Sequence, residues 1–182
     1  PYNNILHKIM LQLCCKKAVK IFSIAEHMTD KLHNFLGVPK EKLITSSWGC
    51  RSDIFYKQDY NKNNNKIRVI TTRRLEDIYN WKLFIESAAL ILKQTDKFEF
   101  IQAGGGSKIK DALTLCKNLG IENKIAFLGE LTPLEIAREL NLSDIFLTLS
   151  FSDRNNISLN EAMFCGCFPI CSNIPANTQW IQ

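Results

Sequence analysis

At 182 residues the chain is long enough for one domain with a proper core, or for one domain plus part of another. Apolar residues at 46% and charged residues at 23% are the profile of a soluble globular protein, and no apolar run approaches the ~20 residues that span a bilayer. The net charge of +5 suits an anionic ligand and loose attraction to acidic lipid, but it is too diffuse to indicate nucleic acid.

Apolar positions Ile5, Leu6, Ile9, Met10, Leu13 and Cys14 follow helical spacing, so an amphipathic helix is expected over residues 3–17. Its basic end (Lys16, Lys17, Lys20) complements the helix dipole. The plain reading is a helix packed on a sheet; the other is a basic helix lying on a membrane surface. A strand over 19–24, a helix over 26–35 ended by Val38-Pro39, and a short strand over 43–46 follow. Residues 61–66 (Asn-Lys-Asn-Asn-Asn-Lys) carry no core-forming side chain and read as an exposed loop.

From Ile67 onward strands and helices alternate. Strands are expected over 67–72, 98–103, 124–128 and 145–149, with helices over 81–93 and 107–118. In the first of these helices Leu83, Phe84, Ala88 and Leu92 should face inward. Thr132-Pro133-Leu134-Glu135 is a capping box with Pro at the first helical position. Alternation over more than 100 residues, with a continuously apolar strand at 145–149, argues for an α/β fold with a doubly wound parallel sheet. Such sheets bind ligands beyond the carboxyl ends of their strands.

The loops at those ends hold the candidate chemistry. The first reads Thr72-Arg73-Arg74-Leu75-Glu76-Asp77-Ile78-Tyr79-Asn80-Trp81-Lys82. The second is Gly104-Gly105-Gly106-Ser107, where Ile109 occupies the place of the third glycine of a dinucleotide fingerprint. The third is Phe127-Leu128-Gly129. The fourth holds two acids eight residues apart, Asp153 and Glu161. Ser158-Leu159-Asn160-Glu161 is itself a capping box, which offers Glu161 a purely structural task. Likewise the cations read as surface charges and the glycines as a tight turn where no ligand is involved.

Two acids separated by seven residues, the second opening the run Glu-Ala-Met-x-x-Gly-x-x-Pro-Ile, resemble the signature of the group 1 glycosyltransferases. The ordered motifs over residues 43–182 match, including Gly49, Cys50 and Phe55 of the interdomain crossing, although Arg51 stands where Asp is usual. The resemblance implies a retaining enzyme whose fold pairs two Rossmann-like halves, with this chain carrying one half. Residues 1–55 would be the tail of the acceptor-side domain plus linker, and 56–182 the nucleotide-sugar donor-binding domain, truncated at its C-terminus. The start at Pro1 and the stop inside an apparent helix start at Trp180 fit such a fragment.

In that family Arg73 or Arg74, together with Lys82, would meet the donor diphosphate. Gly104 and Gly106 would form the turn beside it, and Ser158 and Leu159 would offer helix-end amides. Glu161 would accept from the ribose hydroxyls. Asp153, where most members have Glu, would lie near the sugar and its developing positive charge. The acceptor would be a glycan, a lipid or a small molecule. No metal, no cofactor and no nucleic acid are expected. The seven scattered cysteines, including the Cys165, Cys167, Cys171 run with no His near it, read as reduced thiols of a cytoplasmic protein, with the inner membrane surface as a second location. Two other readings stay open: a non-catalytic nucleotide-sugar-binding paralogue, and an unrelated doubly wound domain such as an NAD-dependent enzyme.

Overall fold

A computed structural model of the chain describes residues 5–60 and 65–181. Residues 61–64 of the expected polar loop, and positions 3 and 4 of the expected opening helix, lie outside the described residues. The chain divides into two compact units after Gly49. Ile54 and Phe55, past that division, are buried in the core of the second unit. Asn141 fastens the next segment, accepting from the Gln58 amide at 2.7 Å and donating to the Tyr56 carbonyl at 3.1 Å.

The first unit holds α1 (Ile5–Lys17), β1 (Ile21–Ser23), α2 (Glu26–Leu36) and β2 (Leu43–Thr45). The two strands pair in parallel with Ile21 opposite Leu43. Gly37, not Pro39, ends α2: it takes φ 70°, a left-handed conformation that glycine adopts without steric cost. The Gly37 and Val38 amides then return to the carbonyls of His33 and Leu32 at 3.0 and 3.3 Å. Helix α1 buries none of its residues and leaves Ile5, Leu6, Met10 and Leu13 exposed. Two strands of three residues offer too little area in this unit to cover it.

The second unit is built on β3 (Ile67–Thr71), α3 (Trp81–Leu92), β4 (Phe98–Ala103), α4 (Ile109–Asn118), β5 (Ile125–Gly129), α5 (Pro133–Leu142), β6 (Ile145–Thr148), α6 (Ile157–Phe164), β7 (Phe168–Cys171) and α7 (Pro175–Thr178). The strands form a parallel sheet in the order β5-β4-β3-β6-β7. Side chains alternate across it. Val69 and Phe100 meet Phe84, Ile85, Ala88 and Cys116 of α3 and α4 on one face. Ile70 and Ile101 meet Ala137, Leu140, Leu159 and Ala162 of α5 and α6 on the other. Both faces are covered, which is why these strands read as continuous apolar runs.

Two details differ from the sequence expectation. The inner stripe of α3 is Phe84, Ile85, Ala88 and Ala89, whereas Leu83 is 41% exposed on its flank. Helix α4 begins at Ile109 rather than Ser107, because Ser107 is held by a side chain from another loop, described below. Helix α5 starts as its capping box requires: Thr132 Oγ1 accepts from the Glu135 amide at 3.4 Å and Glu135 Oε2 accepts from the Thr132 amide at 2.8 Å. Among the described residues no helix is long and apolar enough to cross a membrane.

The chain leaves β3 toward β4 on one side and leaves β6 toward β7 on the other, while β3 and β6 are neighbours. Their carboxyl ends therefore flank the topological switch point, where open α/β sheets bind ligands. The glycine loop after β4 backs this crevice. A Cβ on Gly106 would stand 2.4 Å from the Leu75 carbonyl oxygen. Gly106→Ala is expected to cost at least ~2 kcal/mol in thermal unfolding, by overpacking against backbone. Gly120→Ala, where φ is also positive but nothing lies within 4 Å, should cost only ~1 kcal/mol.

Candidate active site

Arg73 stands two residues past the end of β3, and its backbone is pinned from behind. Gln102 Nε2 donates to its carbonyl at 2.7 Å, and Gly104 approaches so closely that a Cβ there would lie 3.1 Å from the same oxygen. The side chain then crosses the switch point. It forms an ion pair with Asp153, and Nη1 donates to Asn156 Oδ1 at 3.1 Å and to Ser158 Oγ at 3.5 Å. The two charged side chains are only 12% and 14% exposed, so solvent screens the pair weakly. The Tyr79 ring lies under the guanidinium, 4.2 Å from its carbon. Arg73 Nε and Thr72 Oγ1 are buried with no hydrogen-bond partner among the described residues. Arg74 points outward and is exposed, so of the two candidate arginines Arg73 enters the crevice.

The expected Ser158–Glu161 capping box does not form. Asn156 caps α6 instead, its Oδ1 accepting from the Leu159 amide at 3.3 Å, and Ser158 sits within the first turn. Tertiary contacts decide between two good capping residues. Asn156 is fully buried, and its Nδ2 donates to Asn177 Oδ1 at 2.8 Å and to Thr148 Oγ1 at 3.3 Å. Asn177 in turn donates to the Ser172 carbonyl at 2.8 Å. This polar chain joins the ends of β6 and β7 to α6 and α7, and the sequence reading did not find it. An Asn-Asn pair just ahead of a helix was the available signal.

Released from capping, the Glu161 carboxylate has no hydrogen-bond partner among the described residues. Burial pushes its pKa up, and the nearby Arg73 charge opposes that shift. The thiols of Cys50 and Cys165 share the neighbourhood; each is pushed up to about 11, chiefly by burial and then by negative neighbours that include Glu161. The Leu159 side chain is fully buried in the core and its amide is taken by the Asn156 cap.

The remaining candidates are placed as follows. Glu76 reaches across to the start of α4, where its two carboxylate oxygens accept from the Ser107 amide at 2.8 Å and the Ser107 hydroxyl at 2.6 Å. These bonds hold its pKa below the usual glutamate range. Gly104 and Gly106 thus press against the Arg73 and Leu75 backbone, beside an end already filled by a carboxylate. The Gly104 amide donates to the Gly129 carbonyl at 2.7 Å. Lys82, on the second residue of α3, is 63% exposed and pairs with Glu86 at 3.7 Å. Among the described residues no three His, Cys, Asp or Glu side chains cluster as metal ligands.

A crevice at a switch point, lined by a fixed arginine, a helix end and a half-buried carboxylate with no hydrogen-bond partner among the described residues, has the groups to hold an anion and to accept from hydroxyls. The family model for glycosyl transferases group 1 matches residues 52–182, and the chain belongs to that family. It is 32% identical over 94 residues to the N-acetyl-alpha-D-glucosaminyl L-malate synthase of Bacillus anthracis, covering 52% of this chain and 22% of that protein. It is 26% identical over 98 residues to the alpha-monoglucosyldiacylglycerol synthase of Streptococcus pneumoniae, covering 54% of this chain and 22% of that protein. The match thus spans under a quarter of the length of these curated relatives. The fold is similar to that of HepE of Anabaena, solved in complex with UDP and glucose, with a TM-score of 0.83 at 16% identity over 96% of this chain and 50% of that one.

Two outcomes follow from the site's energetics. Asn156→Ala removes the α6 cap and strands buried partners on three elements, so it should cost ~2 kcal/mol or more by chemical denaturation. Glu161 holds its proton more tightly folded than unfolded, so its contribution to stability is complete below about pH 4.5 and is lost as pH rises through its raised pKa. Glu161→Gln should therefore match the wild type near pH 4 and exceed its melting temperature near pH 7. A variant less stable at pH 7 would show the carboxylate to be a structural anchor.

Proposed function

We propose that this chain is the donor-binding part of a glycosyltransferase that moves a sugar from a nucleotide-sugar to an acceptor hydroxyl with retention at the anomeric carbon. The observation that carries the reading is the Arg73 guanidinium fixed across the switch point, next to the unspent carboxylate of Glu161. When the bond between the anomeric carbon and the donor phosphate breaks, its electron pair stays on the diphosphate. Arg73 and the first-turn donors of α6, Ser158 among them, meet that charge. Preorganised positive groups in a weakly screened crevice stabilise the leaving group more in the transition state than in the ground state. Glu161 accepts from the ribose hydroxyls, and Asp153 faces the sugar. The complex of HepE with UDP and glucose supports a nucleotide-sugar as the donor, since the present chain shares that fold.

Isothermal titration with UDP, GDP and ADP tests the reading, with NAD as competitor. One nucleoside diphosphate should bind, Arg73→Ala should weaken it sharply, and Glu161→Gln should weaken it ~10-fold, the equivalent of one charge-assisted hydrogen bond. Tighter binding of NAD than of every nucleoside diphosphate would replace the glycosyltransferase reading with that of a dinucleotide enzyme.

A further inference from the structure

Resting on the donor reading above, we propose that Tyr79 is the positioning residue for Arg73, acting through the face of its ring. A guanidinium is planar: hydrogen bonds reach it in the plane, and only a stacked group restrains its tilt. Here the in-plane partners are Asp153, Asn156 and Ser158, all from the loop and helix after β6. The Tyr79 ring takes the face, with the guanidinium carbon 4.2 Å from its centroid. The face and the edges therefore constrain different rotations of the same group.

Tyr79 is itself held from several directions. It closes a single helical turn, Asp77–Tyr79, with its amide bonded to the Glu76 carbonyl at 2.9 Å. Glu76 is in turn fastened to Ser107. Asn80, which follows, takes φ 54° and turns the chain into α3. Asp77 accepts from Trp81 Nε1 at 3.3 Å and pairs with Lys108 at 3.3 Å. The Phe151 amide donates to the Ile78 carbonyl at 3.0 Å, which joins this turn to the loop that carries Asp153.

The two kinds of restraint differ when an anion arrives. A diphosphate competes with Asp153 and Ser158 for the in-plane N–H groups. It does not compete for the ring face, and a cation held against an aromatic face in a desolvated setting keeps that attraction. Tyr79 thus holds Arg73 while its hydrogen-bond partners exchange. Since the contact uses the ring and not the hydroxyl, Phe should serve as well as Tyr.

The test titrates the chain with UDP, GDP and ADP and then uses whichever binds the wild type most tightly, together with its nucleoside. Tyr79→Leu should weaken the nucleoside diphosphate ~10-fold and leave the nucleoside unchanged, while Tyr79→Phe binds like the wild type. In the Arg73→Ala background Tyr79→Leu should make no further difference. Tyr79→Met, which fills space without a π face, takes the place of Tyr79→Leu should that variant unfold. Equal loss of diphosphate and nucleoside, loss that persists without Arg73, or failure of Phe to restore binding overturns the proposal. Wild-type binding matched by Tyr79→Leu overturns the proposal alone, and silence of the wild type toward all three diphosphates overturns the donor reading and takes the proposal with it.

Discussion

The bond set of the Arg73 side chain is the constraint on which the second unit's ligand end depends. It is the side chain that bridges the two halves of the sheet, from the loop after β3 to the loop and helix after β6. A charge this poorly exposed is tolerable only when paired and hydrogen-bonded. The surrounding sequence meets that demand: Asp153 supplies the charge, Asn156 and Ser158 the acceptors, Tyr79 the face, and Gln102 and Gly104 the backbone support. Loss of any one member leaves the others buried with less compensation.

The sheet makes that bridge possible. Its central strand β3 is paired on both sides, so the end of β3 has little freedom and Arg73 leaves it in one direction. Alternate side chains of β3 and β4 enter two separate apolar clusters, one per face, which fixes the register by burial. A slip of one residue would exchange Val69 with Ile70 and carry Arg73 to the wrong side.

Much of this was legible in the chain because it rests on local signals. The strand over residues 98–103 and the start of α5 follow from apolar runs and a capping box that need no distant partner. The order of motifs pointed to the loops after β3 and β6, which the structure brings together through Arg73, Asp153 and Ser158. What could not be read depends on contacts far apart in sequence. Ser158 and Asn156 are both sound helix starts, and Thr148 and Asn177 choose between them. Arg73 and Arg74 are equivalent as letters; Gln102 on the Arg73 carbonyl and Asp153 on its guanidinium distinguish them. Nothing in the sequence marks Tyr79 as the partner of the Arg73 face, and nothing near Glu76 in the chain announces Ser107, 31 residues away. Lys82 depended on the rotation of α3, which sends it toward Glu86.

That Glu76 bond changes the charge along the carboxyl edge of the sheet. Helices α4 and α6 both begin beside the carboxyl edge of the sheet, and each would carry a partial positive charge at its start. The carboxylate of Glu76 neutralises the first, and it stays ionised because the Ser107 bonds lower its pKa. The α6 start has no acidic side chain in its first turn and has Arg73 beside it. The protein thus covers one helix start with a side chain of its own and leaves another with a cation beside it.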